Sequence, residues 1–402
     1  MKNASQRVIA IDYFRGICLL MVVINHSWLF SMPYAYLTGA GGMWTSAAEL
    51  FFLLSGVTMM IVRGRNIKTD FSQTVKKIWK RAGLIYAIYI TLAVISLCLM
   101  YILPSDVSST TIGPTPSAHG ASLLWQILSF QYSTGLASFL MYYSVYLLAT
   151  PFILRVMQNK AYPFMLITSL GAYILASSQV IDSTLINGFL AWQLYYILGM
   201  ALGRFRVSII SRFYALPRSL KKRLSTAIFV TTGLAITTGS LLAFNLYQHV
   251  DALTTDGWLP VKLRAAYLQL LNHGSFINDL FRDDRLGLLR PLASLLFLAA
   301  GYLLYQRYKH VLLPKTGKFV NAMGKDTLWI FSAQALVIPI LAALPVSRGL
   351  FMNTIMTAFV ILLLASITQR KRFVTYAVYY IEDLRLSYSQ AKYNYIQRYE
   401  DS

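Results

Sequence analysis

Residues 7–26 read RVIAIDYFRGICLLMVVINH, and residues 46–65 read SAAELFFLLSGVTMMIVRGR. From Phe14 the first run stays apolar to about residue 32. That is close to the roughly 20 residues a helix needs to cross a bilayer. The second run is as apolar, and a short Gly-containing link joins the two. Two such runs in succession, each with a few ionisable side chains set inside it, predict a polytopic membrane bundle rather than a soluble core.

The rest of the chain agrees. Of 402 residues, 56 % are hydrophobic and only 13 % charged, and the mean hydropathy is +0.54. Soluble domains carry about 25 % charge. A soluble two-domain enzyme, a disordered chain and a coiled coil are excluded on that ground. The two cysteines, Cys18 and Cys98, both lie in apolar runs, which argues against a disulfide framework.

Ten segments have about the length and apolarity of a span: roughly 14–32, 44–62, 82–103, 135–154, 162–180, 186–203, 225–247, 287–306, 326–345 and 350–369. An even number places both termini on one side. With that side in the cytoplasm, 29 of the 36 Lys and Arg fall inside and six fall outside. The asymmetry sets the orientation. It also explains the net charge of +21 without nucleic acid. The predicted architecture is therefore all-α: a membrane domain over 1–370 and a tyrosine-rich cytoplasmic tail over 371–402, either an amphipathic helix or mobile. Stretch 104–120 reads as a polar outer loop, and 248–286 as outer segments lying on the membrane or capping the bundle. No cleavable signal peptide and no internal repeat is evident. No zinc-ligand spacing or RNA-binding motif appears, so neither metal nor nucleic acid is expected. The sequence sets no oligomeric state.

Ionisable groups inside a membrane are costly and point to function. The first span carries Asp12, Arg15 and His26, and the second carries Glu49. Arg15 and His26 are eleven residues apart, so at about 100° per residue they share a helix face, separated by roughly 16 Å of rise. Asp12 and Arg15 are neighbours one turn apart and can pair. His26 and Glu49 lie at similar depths below the outer ends of antiparallel helices. A carboxylate beside an imidazole is the layout of a general base and its orienter. Each group also has a structural reading: a lone His often hydrogen-bonds between helices, and charges at span ends snorkel.

The first run resembles the opening helix of acyltransferase-3-type membrane acyltransferases, whose signature is Arg, ten residues, then His, here Arg15 and His26. The second resembles their next helix, with its acidic residue and Phe-Phe-x-x-Ser-Gly run. The likeness is closer to the OpgC-like branch, which decorates periplasmic glucans. WKRAGLIYAIY (79–89), MYYSVYLLATPFILRVM (141–157), FLAWQLYYILGMALGR (189–204), LGLLRPLASLLFLAAGYLL (286–304) and GKDTLWIFSAQALV (324–337) are similar to its later elements, in order. The resemblance covers about residues 7–345. It departs at Gln334, where a His is expected.

The resemblance implies transfer of an acyl group, succinyl or acetyl, from cytoplasmic acyl-CoA to a hydroxyl of an extracytoplasmic glycan. The setting would be the bacterial cytoplasmic (inner) membrane, and the partners the bilayer, the acyl-CoA donor and a carbohydrate acceptor. His26 would take the hydroxyl's proton, aided by Glu49, with Arg15 and Asp12 shaping the inner path. Ser55 and Gly56 would let the donor approach, or serve as small-residue packing. Arg63, Trp79 and Arg81 are candidates for the CoA phosphates, Gln193 for a substrate contact or a helix bridge, Arg290 for the acceptor side, and Gln334 for a variant contact. Trp28 and Trp44 are candidates for stacking on sugar rings. A proton-coupled glycan or lipid transporter and a non-catalytic scaffold are the alternatives. Against the transporter stands the lack of an inverted repeat or of paired broken spans.

Overall fold

A computed structural model describes residues 9–26, 44–132, 137–243, 280–281, 287–344 and 351–366. The outer third of the first apolar run with Trp28, most of 248–286 and the tail 371–402 lie outside the described residues. Every described element is a helix and none is a strand.

Helix α1 spans Ile9–His26 and α2 spans Ala47–Arg63. After the one-turn α3 (Asn66–Thr69), α4 runs Phe71–Ile102. Two short helices follow, α5 (Ser105–Thr111) and α6 (Gly120–Leu128). Then come α7 (Ser138–Met157), α8 (Tyr162–Ser177), α9 (Thr184–Ala215) and α10 (Arg218–Ala243). The last group is α11 (Arg290–Leu312), a π-helical turn (Leu313–Gly317), α12 (Lys318–Lys325), α13 (Thr327–Ala342) and α14 (Phe351–Ser366).

The described part of each of the ten apolar segments falls on a helix. Four of these, α1, α4, α7 and α9, are long and apolar enough to cross a membrane, and α12 with α13 makes a fifth if that pair, bent by 90°, is one span. The polar stretch 104–120 is not a plain loop. It contains α5, which buries Val107 and leads to the buried Ile112. Pro104 stands just before the first turn of α5, where its missing N–H costs nothing. The two longest helices begin before the apolar run does. Asp70 and Ser183 cap them by accepting from Gln73 N at 3.1 Å and Ile186 N at 3.3 Å.

Lipid tails are as apolar as leucine, so helices in a bilayer associate by close packing and polar contacts rather than by hydrophobic burial. Two crossings show this. Between α2 and α9, a Cβ on Gly56 would strike the backbone of Tyr196 and Met200, and one on Gly199 would strike Leu53 O. Between α1 and α12, a Cβ on Gly16 would meet Val320, and one on Gly324 would meet Asp12 O. Where α2, α7 and α9 converge, the fully buried Phe52 packs on Phe139, Tyr146 and Trp192 with ring centroids 4.4, 5.6 and 5.2 Å away.

Candidate functional site

The site grows from the α1–α12 crossing. Gly16 and Gly324 let α12 come close to the inner half of α1, and the chain then turns at Asp326 into α13. The turn brings Thr327, the first residue of α13, to Arg15. The guanidinium Nη2 donates to Thr327 Oγ1 at 2.9 Å, and the group lies over the Phe51 ring at 5.3 Å from its centroid. Arg15 is only 9 % exposed, and its Nε finds no hydrogen-bond partner. Guanidinium carries five donors, and at least the one on Nε is unspent in this buried cation.

Three further side chains lie near it. Arg15 is close enough to interact electrostatically with Arg81 of α4 and Tyr143 of α7. Tyr196 of α9 interacts with the same two groups. Its hydroxyl also lies 2.8 Å from Thr150 Oγ1. Arg81 is itself exposed. An exposed arginine therefore stands close to the buried one, with tyrosines between the helices that carry them. The sequence reading named both arginines but missed Tyr143, Tyr196 and Thr327. Uncharged polar groups in apolar runs give a weak signal by themselves.

One helix face up from Arg15 sits His26. Its ring meets Phe331 of α13 edge-on, centroids 6.4 Å apart, and Nδ1 is buried with no hydrogen-bond partner. Helix α13 thus meets α1 at Arg15–Thr327 and again, further along both, at His26–Phe331. Gln334 lies on that same face of α13, seven residues beyond Thr327 and one turn beyond Phe331. It is fully buried, and neither Nε2 nor Oε1 has a partner. Ser55 of α2 is buried too, with an unpartnered hydroxyl.

Glu49 is placed differently from the expectation. It is the third residue of α2 and completes a capping box: Ser46 N donates to Glu49 Oε2 at 2.8 Å, and Glu49 N donates to Ser46 Oγ at 3.4 Å. Oε2 also accepts from Thr45 Oγ1 at 2.7 Å and Ser294 Oγ at 3.3 Å. Oε1 accepts from Arg290 Nε at 2.5 Å. No contact joins Glu49 to His26. Packing of Cys18 with Phe51 and Leu54 sets a register that puts Glu49 about a turn below His26. Glu49 therefore does not orient the imidazole. The partner that depth alone suggested is replaced by Arg290, which also donates from Nη1 to Phe281 O at 2.9 Å. Arg290 ties the start of α11 to the start of α2 rather than standing open on an acceptor side.

The remaining candidates scatter. Asp12, buried in the first turn of α1 with its carbonyl against Gly324, does stay close enough to Arg15 to interact with it electrostatically. Gly56 is spent on the α9 crossing, which leaves no open approach for a donor there. Gln193 bridges helices: Nε2 donates to Ser169 O and Leu190 O, and Oε1 accepts from Ser169 Oγ at 2.7 Å. Trp79 is 45 % exposed and its indole donates to Leu148 O at 3.1 Å, joining α4 to α7. Arg63 closes the last turn of α2, half-buried. Trp44 is 7 % exposed, tilted at 41° against Phe281 with centroids 4.5 Å apart and bonded to Thr238 Oγ1, so its faces are not open to a sugar. Among the described residues, no group of three or more His, Cys, Asp or Glu could hold a metal ion.

No curated protein and no solved structure matches the chain. A family model described as OpgC protein matches residues 7–372. With its apolar helices, that match makes this an integral membrane protein of acyltransferase type: the chain belongs to the OpgC family.

Proposed function

We propose that this chain carries an acyl group from cytoplasmic acyl-CoA to a hydroxyl of a periplasmic glucan, with both termini in the cytoplasm of a bacterial inner membrane crossed ten times. Succinyl-CoA is the first donor to test and acetyl-CoA the second. The observation that carries the reading is the α1–α13 seam. Arg15 and His26 lie on one helix face, the first buried and the second half-buried, and each keeps a buried polar atom unpartnered. Buried polar groups without partners are expensive. A substrate that completes them explains why they are there.

The roles follow from position. Arg15 lies on the cytoplasmic half of the seam with Arg81 close by. The two cations, only partly offset by Asp12, favour the negative charge of the donor's phosphates. His26 lies roughly 16 Å further out. A sugar hydroxyl is a weak nucleophile, and a neutral imidazole removes its proton as the oxygen attacks the thioester carbonyl, worth about 10²–10⁴ in rate. The imidazolium then returns that proton to the departing thiolate. Glu49 and Arg290 hold α2 and α11 at the outer end and take no part in proton transfer.

The test is mass spectrometry of the glucan made by cells expressing the chain or its His26→Ala variant. The expected result is one acyl increment that vanishes in the variant while the amount of folded protein in the membrane stays the same. An unmodified glucan in both, from cells shown to make the acceptor, overturns the acyltransferase reading in favour of a carrier.

A further inference from the structure

Gln334 is the most anomalous side chain of the interior. It is 0 % exposed, and both ends of its amide lack a hydrogen-bond partner. It belongs to no ion pair and bridges no helices. Its neighbours on α13 fix where it sits. Thr327 and Phe331 meet Arg15 and His26. Gln334 lies about 10 Å of helix rise above Thr327 and one turn above Phe331. On the face of α13 that meets α1, the amide therefore falls in the same seam as the unpartnered Nδ1 of His26.

We infer that Gln334 is a catalytic residue, its Nε2–H donating to the thioester carbonyl oxygen of the donor as charge develops there. The inference rests on the acyltransferase reading. The acceptor hydroxyl oxygen forms a bond to the carbonyl carbon, His26 takes the hydroxyl proton, and the carbonyl electron pair moves onto oxygen, where the Gln334 N–H stabilises it. The pair then returns, the carbon–sulfur bond breaks, and the thiolate leaves with the proton from His26. No oxidant, metal or further reactant is needed. An amide suits this better than a charged donor. It is neutral when the site is empty and needs no counter-ion in a dry seam. Placed in advance, it needs no reorganisation as charge develops.

A purely structural glutamine would behave differently. Replacing an unpartnered buried amide by an apolar group of the same shape relieves a desolvation cost. The experiment uses the full-length protein in nanodiscs, with release of free CoA thiol measured against succinyl-CoA and acetyl-CoA in the presence of glucan. Wild type is compared with Gln334→Met, Gln334→His and His26→Ala, and each is also melted. Gln334→Met should lower turnover about 100-fold or more, leave the donor KM nearly unchanged and melt no lower than wild type. Gln334→His, which keeps an N–H donor, should recover at least part of the lost turnover. Wild-type turnover in Gln334→Met, with His26→Ala inactive, overturns this inference and leaves the acyltransferase reading standing. So does a Gln334→Met protein that loses activity only because it unfolds, if Gln334→His is equally unstable. A wild type no faster than His26→Ala overturns both.

Discussion

Two buried polar clusters lie within a few helical turns of each other, and they are opposites. At the start of α2, the Glu49 carboxylate accepts from Arg290 Nε, Thr45 Oγ1, Ser46 N and Ser294 Oγ. In the α1–α13 seam, His26 Nδ1, Arg15 Nε and both ends of Gln334 accept from or donate to nothing. In the first cluster both carboxylate oxygens are satisfied within the empty protein. The second leaves these atoms unpaired. Depth in the membrane does not separate the two, but the partners of their charged groups do, and on the proposed function the first cluster is architectural and the second meets substrate.

The sharpest way to break that contrast is to cut the complete cluster. Glu49→Ala strands a buried guanidinium, and Arg290→Ala strands a buried carboxylate. Loss of one partner from a buried pair costs about 3–5 kcal/mol. Both variants should therefore fall steeply in melting temperature and in membrane yield, whereas His26→Ala should melt like wild type. If Glu49→Ala instead folds normally and loses turnover alone, Glu49 belongs with the chemistry and the division fails.

Arg15→Lys is expected next. Lysine keeps the charge but loses the planar fork that reaches Thr327 Oγ1 and lies over Phe51. The donor KM should rise about tenfold or more at nearly unchanged kcat, because contacts made equally to ground and transition state appear in KM. A fall in kcat at constant KM would move Arg15 from donor binding to the reacting centre.

Much of this was legible in the sequence, and the illegible part has a physical cause. Helices are local, so the described part of every apolar segment became one. The shared face of Arg15 and His26 follows from helix geometry and needs nothing else. The Ser46–Glu49 capping box was also readable, since Ser-x-x-Glu ahead of an apolar run is a helix start. Read as a span beginning at 44, the segment hid it and left Glu49 looking deep and unpaired. What no local pattern carries is the partner across the bundle. Arg290 is 241 residues from Glu49, and Thr327 is 312 from Arg15. In a bilayer the apolar pattern does not say which helix faces which, because lipid serves an apolar face as well as protein does. The resemblance drew attention to Gln334 through a substitution, but that its amide is unpartnered is a tertiary fact.

A smaller effect tests the packing that sets the frame. Gly199→Ala puts a methyl group against Leu53 O where α9 crosses α2. Overpacking of this kind costs about 1–3 kcal/mol. The variant should melt lower, while Gly83→Ala, at a glycine whose Cβ would meet nothing, should be neutral or stabilising. Equal melting of the two would mean that the α2–α9 crossing is looser than the contacts require.

The smallest expected change in stability sets two glutamines against each other. Gln193 is half-buried and makes three hydrogen bonds, two given and one received, all of them to Ser169 and Leu190. Gln334 is fully buried and makes none. The same substitution, Gln→Met, is nearly isosteric at both. At Gln193 it removes a bridge between α8 and α9 and leaves Ser169 groups unpaired, a loss of about 1 kcal/mol. Turnover per folded molecule should be unchanged, because nothing at that bridge reaches the seam. At Gln334 the signs reverse: stability holds or rises and turnover collapses. Melting temperature and turnover measured on the two variants side by side therefore read the division of labour directly. If both lose stability and neither loses turnover, the unpartnered amide is an ordinary packing residue, and the seam's chemistry rests on His26 and Arg15 alone.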